Sequence, residues 1–201
     1  MQTDLPLEGL KQARRADARL VADITGEAFS QDPVNQWVFG TERGILSCFR
    51  ILSPLYLESG LCYLADDKGA AQWLGPNAEI KFSLVPQLKF MVSTSRYSKS
   101  GAMKRALSMS EKMQDAHPKE PHYYLFTIGA LASARGQGIG RRLIAPMLAH
   151  ADHEGVPVYL ENSNPVNHGF YVSHGFEKIG EFEVGPGGPP MAPMWREPRA
   201  A

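Results

Sequence analysis

Three glycines stand at alternate positions in Arg135-Gly136-Gln137-Gly138-Ile139-Gly140, directly before the basic and apolar run Arg141-Arg142-Leu143-Ile144. Residues 123–131 precede them and are aromatic, β-branched and nearly all apolar, which predicts a strand covered on both faces. The segment that follows has helical spacing from about Gly138, with Leu143, Met147 and Leu148 turned inward. A strand, a glycine turn and a helix N-terminus form an anion site. The first-turn amides lack intrahelical partners, and the helix dipole adds partial positive charge there. Glycine lets the backbone touch a phosphate with no side chain in the way. A P-loop would need Lys-Ser/Thr after its second glycine, and none is present. A dinucleotide fingerprint would need G-x-G-x-x-G, whereas here the spacing is G-x-G-x-G and position 141 is arginine. Both nucleotide readings are weak.

A second group of polar residues lies downstream. Glu161 ends a strand expected over 156–162, and Asn164-Pro165 opens a short helix that Gly175 stops. Asn164, Asn167 and Tyr171 share one face of that helix by their spacing. The loop Arg135-x-x-Gly138-x-Gly140, combined with Asn164-x-x-Asn167-x-x-Phe170-Tyr171-x-x-x-Gly175-Phe176, resembles the GCN5-related N-acetyltransferases, the GNAT superfamily. Residues 118–131, the segment around Asn164 and the tail from Phe176 look like that superfamily's puromycin N-acetyltransferase-like branch. The early Ala28–Pro33 stretch and the hairpin through Trp73 do so too. The family often has proline three residues before its loop Arg or Gln, where this chain has Ala132, and residues 79–120 resemble the branch only loosely.

The resemblance implies an acetyl-CoA-dependent acyltransferase with a GNAT fold: a seven-stranded, mixed, partly splayed sheet with helices on both faces. It implies that Arg135, Gly136, Gln137, Gly138, Ile139, Gly140 and Arg141 hold the pyrophosphate of coenzyme A. The backbone of Gly129, Ala130 and Leu131 would meet the pantetheine arm, and Asn164 and Asn167 its amides. Asn164 reads equally well as a helix N-cap, and residues 129–131 as plain buried strand. Tyr171 stands where the family places a general acid. The leaving thiolate has an ordinary pKa of about 8.5, so a proton donor helps at neutral pH. An amine acceptor arrives protonated and must lose a proton. Glu161 is the first candidate base, with Glu27, Asp32 and His122 as alternatives, and a surface charge is the bland reading for Glu161. Transfer is expected to be direct, since no Ser, Cys or His constellation suggests an acetyl-enzyme. The acceptor is expected to be a small-molecule primary amine. A protein or peptide amine, and a module that binds acyl-CoA without turnover, are the alternatives. Trp37, Trp73, Tyr97 and Tyr124 are weak candidates for an acceptor pocket.

These residues need elements to hold them. A short first strand is expected at 7–14, then a helix from Asp17 to about Phe29 that Asp32-Pro33 ends. A second helix over 41–58 should bend or break at Pro54, and Pro146 should kink the later helix. Residues 61–65 and 70–74 read as a hairpin, and 79–116 as mostly helical. FEKIGEFEV and residues 191–195 read as final strands. The order β-α-β-α-β-β from residue 123 argues an α/β class with parallel pairing. The chain has 201 residues, 43% of them hydrophobic, which suits a single domain over 1–201. Its cofactor core would span about 122–184, and acceptor-side elements about 17–58 and 79–120.

Twenty-one basic and 21 acidic residues cancel, so nothing argues for nucleic acid or an anionic membrane. Cys48 and Cys62 lack metal spacing and read as free thiols in a reducing compartment, and the six histidines are scattered, so no metal is expected. With no signal-like N-terminus or spanning segment, the expectation is a cytoplasmic monomer or homodimer.

Overall fold

The computed structural model describes residues 4–199. Residues 1–3 and 200–201, the ends of the span expected for the domain, lie outside the described residues. The centre of the chain is one mixed sheet. Strands β1 (Lys11–Gln12), β2 (Leu61–Ala65), β3 (Gly69–Leu74) and β4 (Tyr123–Ala130) run antiparallel to their neighbours in that order. Strand β5 (Val158–Asn162) lies parallel to β4, and β8 (Pro190–Arg196) pairs antiparallel with β5 along its whole length. The short strands β6 (Glu177–Lys178) and β7 (Phe182–Glu183) both pair with β8. FEKIGEFEV is therefore two fragments rather than one strand, and this split makes the count eight among the described residues where seven were expected.

The functional geometry begins at a flaw in this sheet. Between β3 and β4 the register runs Gln72↔Thr127 and then Trp73↔Leu125, so Phe126 is an extra residue on β4. A bulge of this kind bends its strand. Past it, β4 keeps its bonds to β3 as far as Ala130, but it pairs with β5 only at Tyr123↔Val158 and Tyr124↔Tyr159. From Phe126 onward the two central strands diverge, and a gap opens between them. The displaced Phe126 ring stacks on Tyr56, centroids 4.0 Å apart and ring planes nearly parallel.

Helices cover both faces. On one, α6 (Ile139–Glu154) and α7 (His168–Ser173) bury Leu143, Ile144, Met147 and Tyr171 against Tyr63, Trp73, Leu125 and Leu160. On the other, α1 (Ala18–Ala28) and α3 (Glu42–Ser59) pack on the sheet, with α2 (Pro33–Phe39) and α5 (Ala102–Ala116) outside them and α4 (Leu84–Tyr97) against α3. Gly129 records the closeness of this layer, because a Cβ there would come within 2.5 Å of the Ala28 Cβ.

Two local expectations are corrected. The first strand is two residues long. Asp32-Pro33 does not merely end α1. It starts α2, with the Asp32 carboxylate accepting from the Asn35 amide at 2.9 Å and Pro33 at the first helical position. Residues 79–116 are mostly helical, as expected, in two helices separated at Gly101 (φ +77°). Neither Pro54 nor Pro146 breaks its helix. Each sits inside a continuous helix, where packing of the apolar face outweighs one lost hydrogen bond.

Candidate active site

The glycine stretch forms a turn that ends in the first residue of α6. Gly136 (φ +77°) and Gly138 (φ +73°) adopt the left-handed conformation, and a Cβ at either would meet nothing within 4 Å. Their lack of side chains therefore serves conformation and an open surface. Gly140 has another reason: a Cβ there would press on the Phe170 ring of α7 at 3.3 Å. Gly138 is the N-cap of α6 and offers no side chain, so the first-turn amides face outward uncapped. They open onto a cleft of about 530 Å³ lined by Ile128, Gly129, Ala130, Arg135, Gly136, Gly138, Ile139, Gly140 and Arg141 on one side, and by Asn167, Phe170 and Tyr171 on the other. Neither Arg135 nor Arg141 has an ion-pair partner among the described residues, so both remain available to an anion. Left-handed glycines, free amides and uncommitted guanidiniums fit a phosphate-bearing cofactor.

Not every expected loop residue joins this cleft. The Gln137 side chain donates to the Ser133 carbonyl at 3.1 Å, and its amide bonds the Ala134 carbonyl. Leu131 has no backbone group to offer. Its N–H donates to the Lys68 carbonyl at 2.8 Å and its carbonyl accepts from Ala134 at 2.9 Å. The antiparallel alternation then aims the backbone groups of Ile128 and Ala130, rather than of Gly129 and Leu131, at the gap beside β5. Sequence reasoning missed Ile128, because a backbone contact leaves no mark on side-chain type. The Ile139 side chain is buried in the core, so only its backbone faces the loop. Arg142 is exposed and forms a two-pronged pair with Asp66 in the β2–β3 turn.

Inside the gap lies a smaller chamber of about 110 Å³ with mostly apolar walls, including Phe29, Phe49, Phe126, Leu160 and Met191. Tyr171, Asn167 and Ile128 line both this chamber and the glycine-loop cleft, so the two spaces meet at Tyr171. Its ring is held edge-on by Phe170 and Phe176, and its hydroxyl makes no hydrogen bond among the described residues. Burial, with the Asp32 carboxylate as a second cause, pushes its pKa above the ordinary phenol value, so it stays protonated at neutral pH. Asn164 accepts from the Val166 amide at 3.2 Å, which makes it the cap of the turn before α7, and it does not line the cleft.

Glu161 lies at the chamber's other side, its side chain 3% exposed. One carboxylate oxygen accepts from the Tyr124 hydroxyl at 2.7 Å. The other is buried with no hydrogen-bond partner and faces the His117 Nδ1 at 3.7 Å. A third, open cleft of about 840 Å³ reaches Glu161 from outside, past His117 and His122, and Met113, Tyr124 and Glu161 are common to it and the chamber. The surface-charge reading of Glu161 is thereby excluded. The alternatives to it are engaged elsewhere. Glu27 accepts from the Ala132 amide at 2.9 Å, and Asp32 caps α2 while accepting from the Ser163 hydroxyl at 2.6 Å. His122 lines only the outer cleft, where burial lowers its pKa.

Of the aromatic candidates only Tyr124 lines the chamber. Trp73 is fully buried in the core, Trp37 packs beneath the loop at Gly185 and Gly188, and Tyr97 lies under Arg43 and Arg96. Cys48 lines the chamber as well, but burial pushes its thiol up to about 12, so it offers no nucleophilic thiolate. Among the described residues no cluster of His, Cys, Asp and Glu could hold a metal.

The Acetyltransferase (GNAT) family model matches residues 103–176. That stretch contains α5, β4, the glycine loop, β5 and α7. An uncharacterized N-acetyltransferase of Schizosaccharomyces pombe is 24% identical over 180 residues, 83% of this chain and 73% of that protein. The crystal structure of histone acetyltransferase HPA2 and related acetyltransferase from Corynebacterium glutamicum is 26% identical, with a TM-score of 0.68 over 98% of this chain and 99% of that one. Arylalkylamine N-acetyltransferase 2 from Aedes aegypti shares the fold at 12% identity, with a TM-score of 0.63 over 94% and 98%. Loop, splayed sheet and relatives agree on an acetyltransferase of the GNAT type: residues 103–176 match the family, and the whole chain has the fold.

Proposed function

We propose that this acetyltransferase moves an acetyl group from acetyl-CoA to a primary amine of a small molecule by direct transfer, in the manner of the puromycin N-acetyltransferase-like branch. The observation that carries the proposal is the meeting of two spaces at Tyr171, a phosphate-suited cleft on one side and an apolar chamber on the other. A chamber of about 110 Å³ suits the reactive end of a small amine with an apolar body. The whole chain would act as one domain, and its two buried free thiols suit the cytoplasm.

Acetyl-CoA bound at the loop supplies an activated acetyl group and a thiolate leaving group. Gly136, Gly138, Gly140 and the first-turn amides of α6 would hold its pyrophosphate, with charge from Arg135 and Arg141. The edge of β4 at Ile128 and Ala130 would orient the acyl arm and polarise its carbonyl. Tyr171 would be the general acid, kept protonated by its burial. Glu161 would be the general base, a buried carboxylate with one oxygen free to accept a proton. Positioning and proton management would then supply the catalysis.

The test is calorimetric titration with acetyl-CoA, followed by mass-spectrometric detection of acetylated products from a panel of primary amines. Micromolar binding and acetylation of at least one small amine are expected. Binding without acetylation of any small-molecule amine, with acetylation of lysine peptides instead, would overturn the small-molecule reading.

A further inference from the structure

Glu161 raises a problem of its own. A base that is 3% exposed cannot return its proton directly to water. Its neighbour Tyr124 already donates to it, and burial pushes that phenol, like the nearby Tyr159, well above the ordinary range, so both hold their protons. The remaining group within reach is His117, at the C-terminal end of α5, 3.7 Å from the unpartnered Glu161 oxygen and 37% exposed.

The hydrogen bonds around the two histidines fix which nitrogens carry protons. His122 Nδ1 lies 2.6 Å from the Glu120 carbonyl, which can only accept, so Nδ1 carries the proton. Burial favours the neutral form of His122, which leaves its Nε2 as an acceptor. The His117 Nε2 lies 3.2 Å from that acceptor and must donate. What remains on neutral His117 is a bare Nδ1, and it is the nitrogen that faces Glu161. Closing the gap to hydrogen-bond length takes a shift of about 1 Å or less. The pair is caged by the Tyr124, Tyr159 and Trp195 rings, and Glu79, Lys119 and Glu120 are the charged groups around the same cleft.

We propose that His117 is the proton exit of this site, a relay between Glu161 and solvent whose tautomer is set by His122. The step is a proton transfer alone. The proton on Glu161 moves to His117 Nδ1, Glu161 returns to carboxylate, and the imidazolium releases its proton to water through the outer cleft. This rests on Glu161 being the base of the function proposed above. His117 and His122 act through Glu161 and are positioning and relay residues.

The experiment measures kcat and KM from pH 6 to 9 for wild type, His117→Ala and Glu161→Gln, with and without imidazole in the buffer. The His117 variant is expected to lose about tenfold in kcat, to keep its affinity for acetyl-CoA, and to recover as imidazole is added. Wild-type kcat in that variant, or a loss that imidazole does not repair in a folded protein, overturns the relay while leaving the transferase intact. Wild-type rates in Glu161→Gln remove the base and the relay together. If no amine is turned over, nitrogen-15 NMR at pH 8 decides. The proton is expected on Nε2 of His117 and Nδ1 of His122, and the opposite tautomers overturn the relay.

Discussion

Under the proposed mechanism Tyr171 is the general acid, and its environment suits a phenol to that role. It is buried between Phe170 and Phe176, its hydroxyl is unengaged, and its pKa is raised, so the proton-donating form persists well beyond neutral pH. Tyr171→Phe keeps the packing and removes the proton. It should lower kcat by about 10²–10⁴-fold while leaving the dissociation constant of acetyl-CoA within a factor of about two. Because the folded pKa lies above the usual phenol value of about 10, this loss should be uniform across pH 6 to 9. A loss that faded toward pH 9 would mean that Tyr171 titrates in that range and is not held protonated by its surroundings. Single residue types were legible here only where the motif fixed them. The resemblance pointed to Tyr171, whereas nothing in the sequence marked His117 as a neighbour of Glu161, since 44 positions separate them and only the fold closes that distance.

At the scale of elements, the glycines divide by the reason for which each is needed. Gly138 supports the loop's conformation and leaves the anion surface bare, so Gly138→Trp should abolish measurable acetyl-CoA binding at a modest cost in stability, about 1–3 kcal/mol for the left-handed backbone. Gly129 makes room for α1, so Gly129→Val should destabilise by about 1–3 kcal/mol or more through overlap with Ala28. Calorimetry for binding and urea midpoints for stability separate the two cases. Helices and strands with strong periodicity were readable: α1, α3, α6, the β2–β3 hairpin, β4 and β5 all form close to their expected spans. The failures cluster where the signal is weak. Asp32-Pro33 both stops one helix and caps another, and a proline inside a strongly amphipathic helix did not override packing.

Across the whole molecule, Arg196 ties distant parts together. From β8 it reaches Asp152 near the end of α6 through two hydrogen bonds of 2.7 Å, and it donates to the His174 carbonyl at the end of α7 at 3.0 Å. The Arg196 guanidinium holds the Asp152 carboxyl below the usual carboxylate range. Its folded pKa therefore lies under its unfolded value, so the stabilisation is complete above about pH 5 and is lost as pH falls through about 4 toward the folded pKa. Asp152→Asn should cost about 2–4 kcal/mol at pH 7, leaving a buried guanidinium without its counter-charge. The melting-temperature gap to wild type should close at acid pH, and an unchanging gap down to pH 3 would sink this account. By itself, the sequence determined the glycine turn, the α/β order around it and the phenol beyond it, because these depend on local spacing and on residue types that only special backbone shapes require. The tertiary structure alone decided that β4 bulges at Phe126 and parts from β5, that the cleft and chamber meet at Tyr171, and that Glu161 is a buried carboxylate facing His117 rather than a surface charge. Those outcomes arise from register and packing between segments far apart in the chain, and no local spacing encodes them.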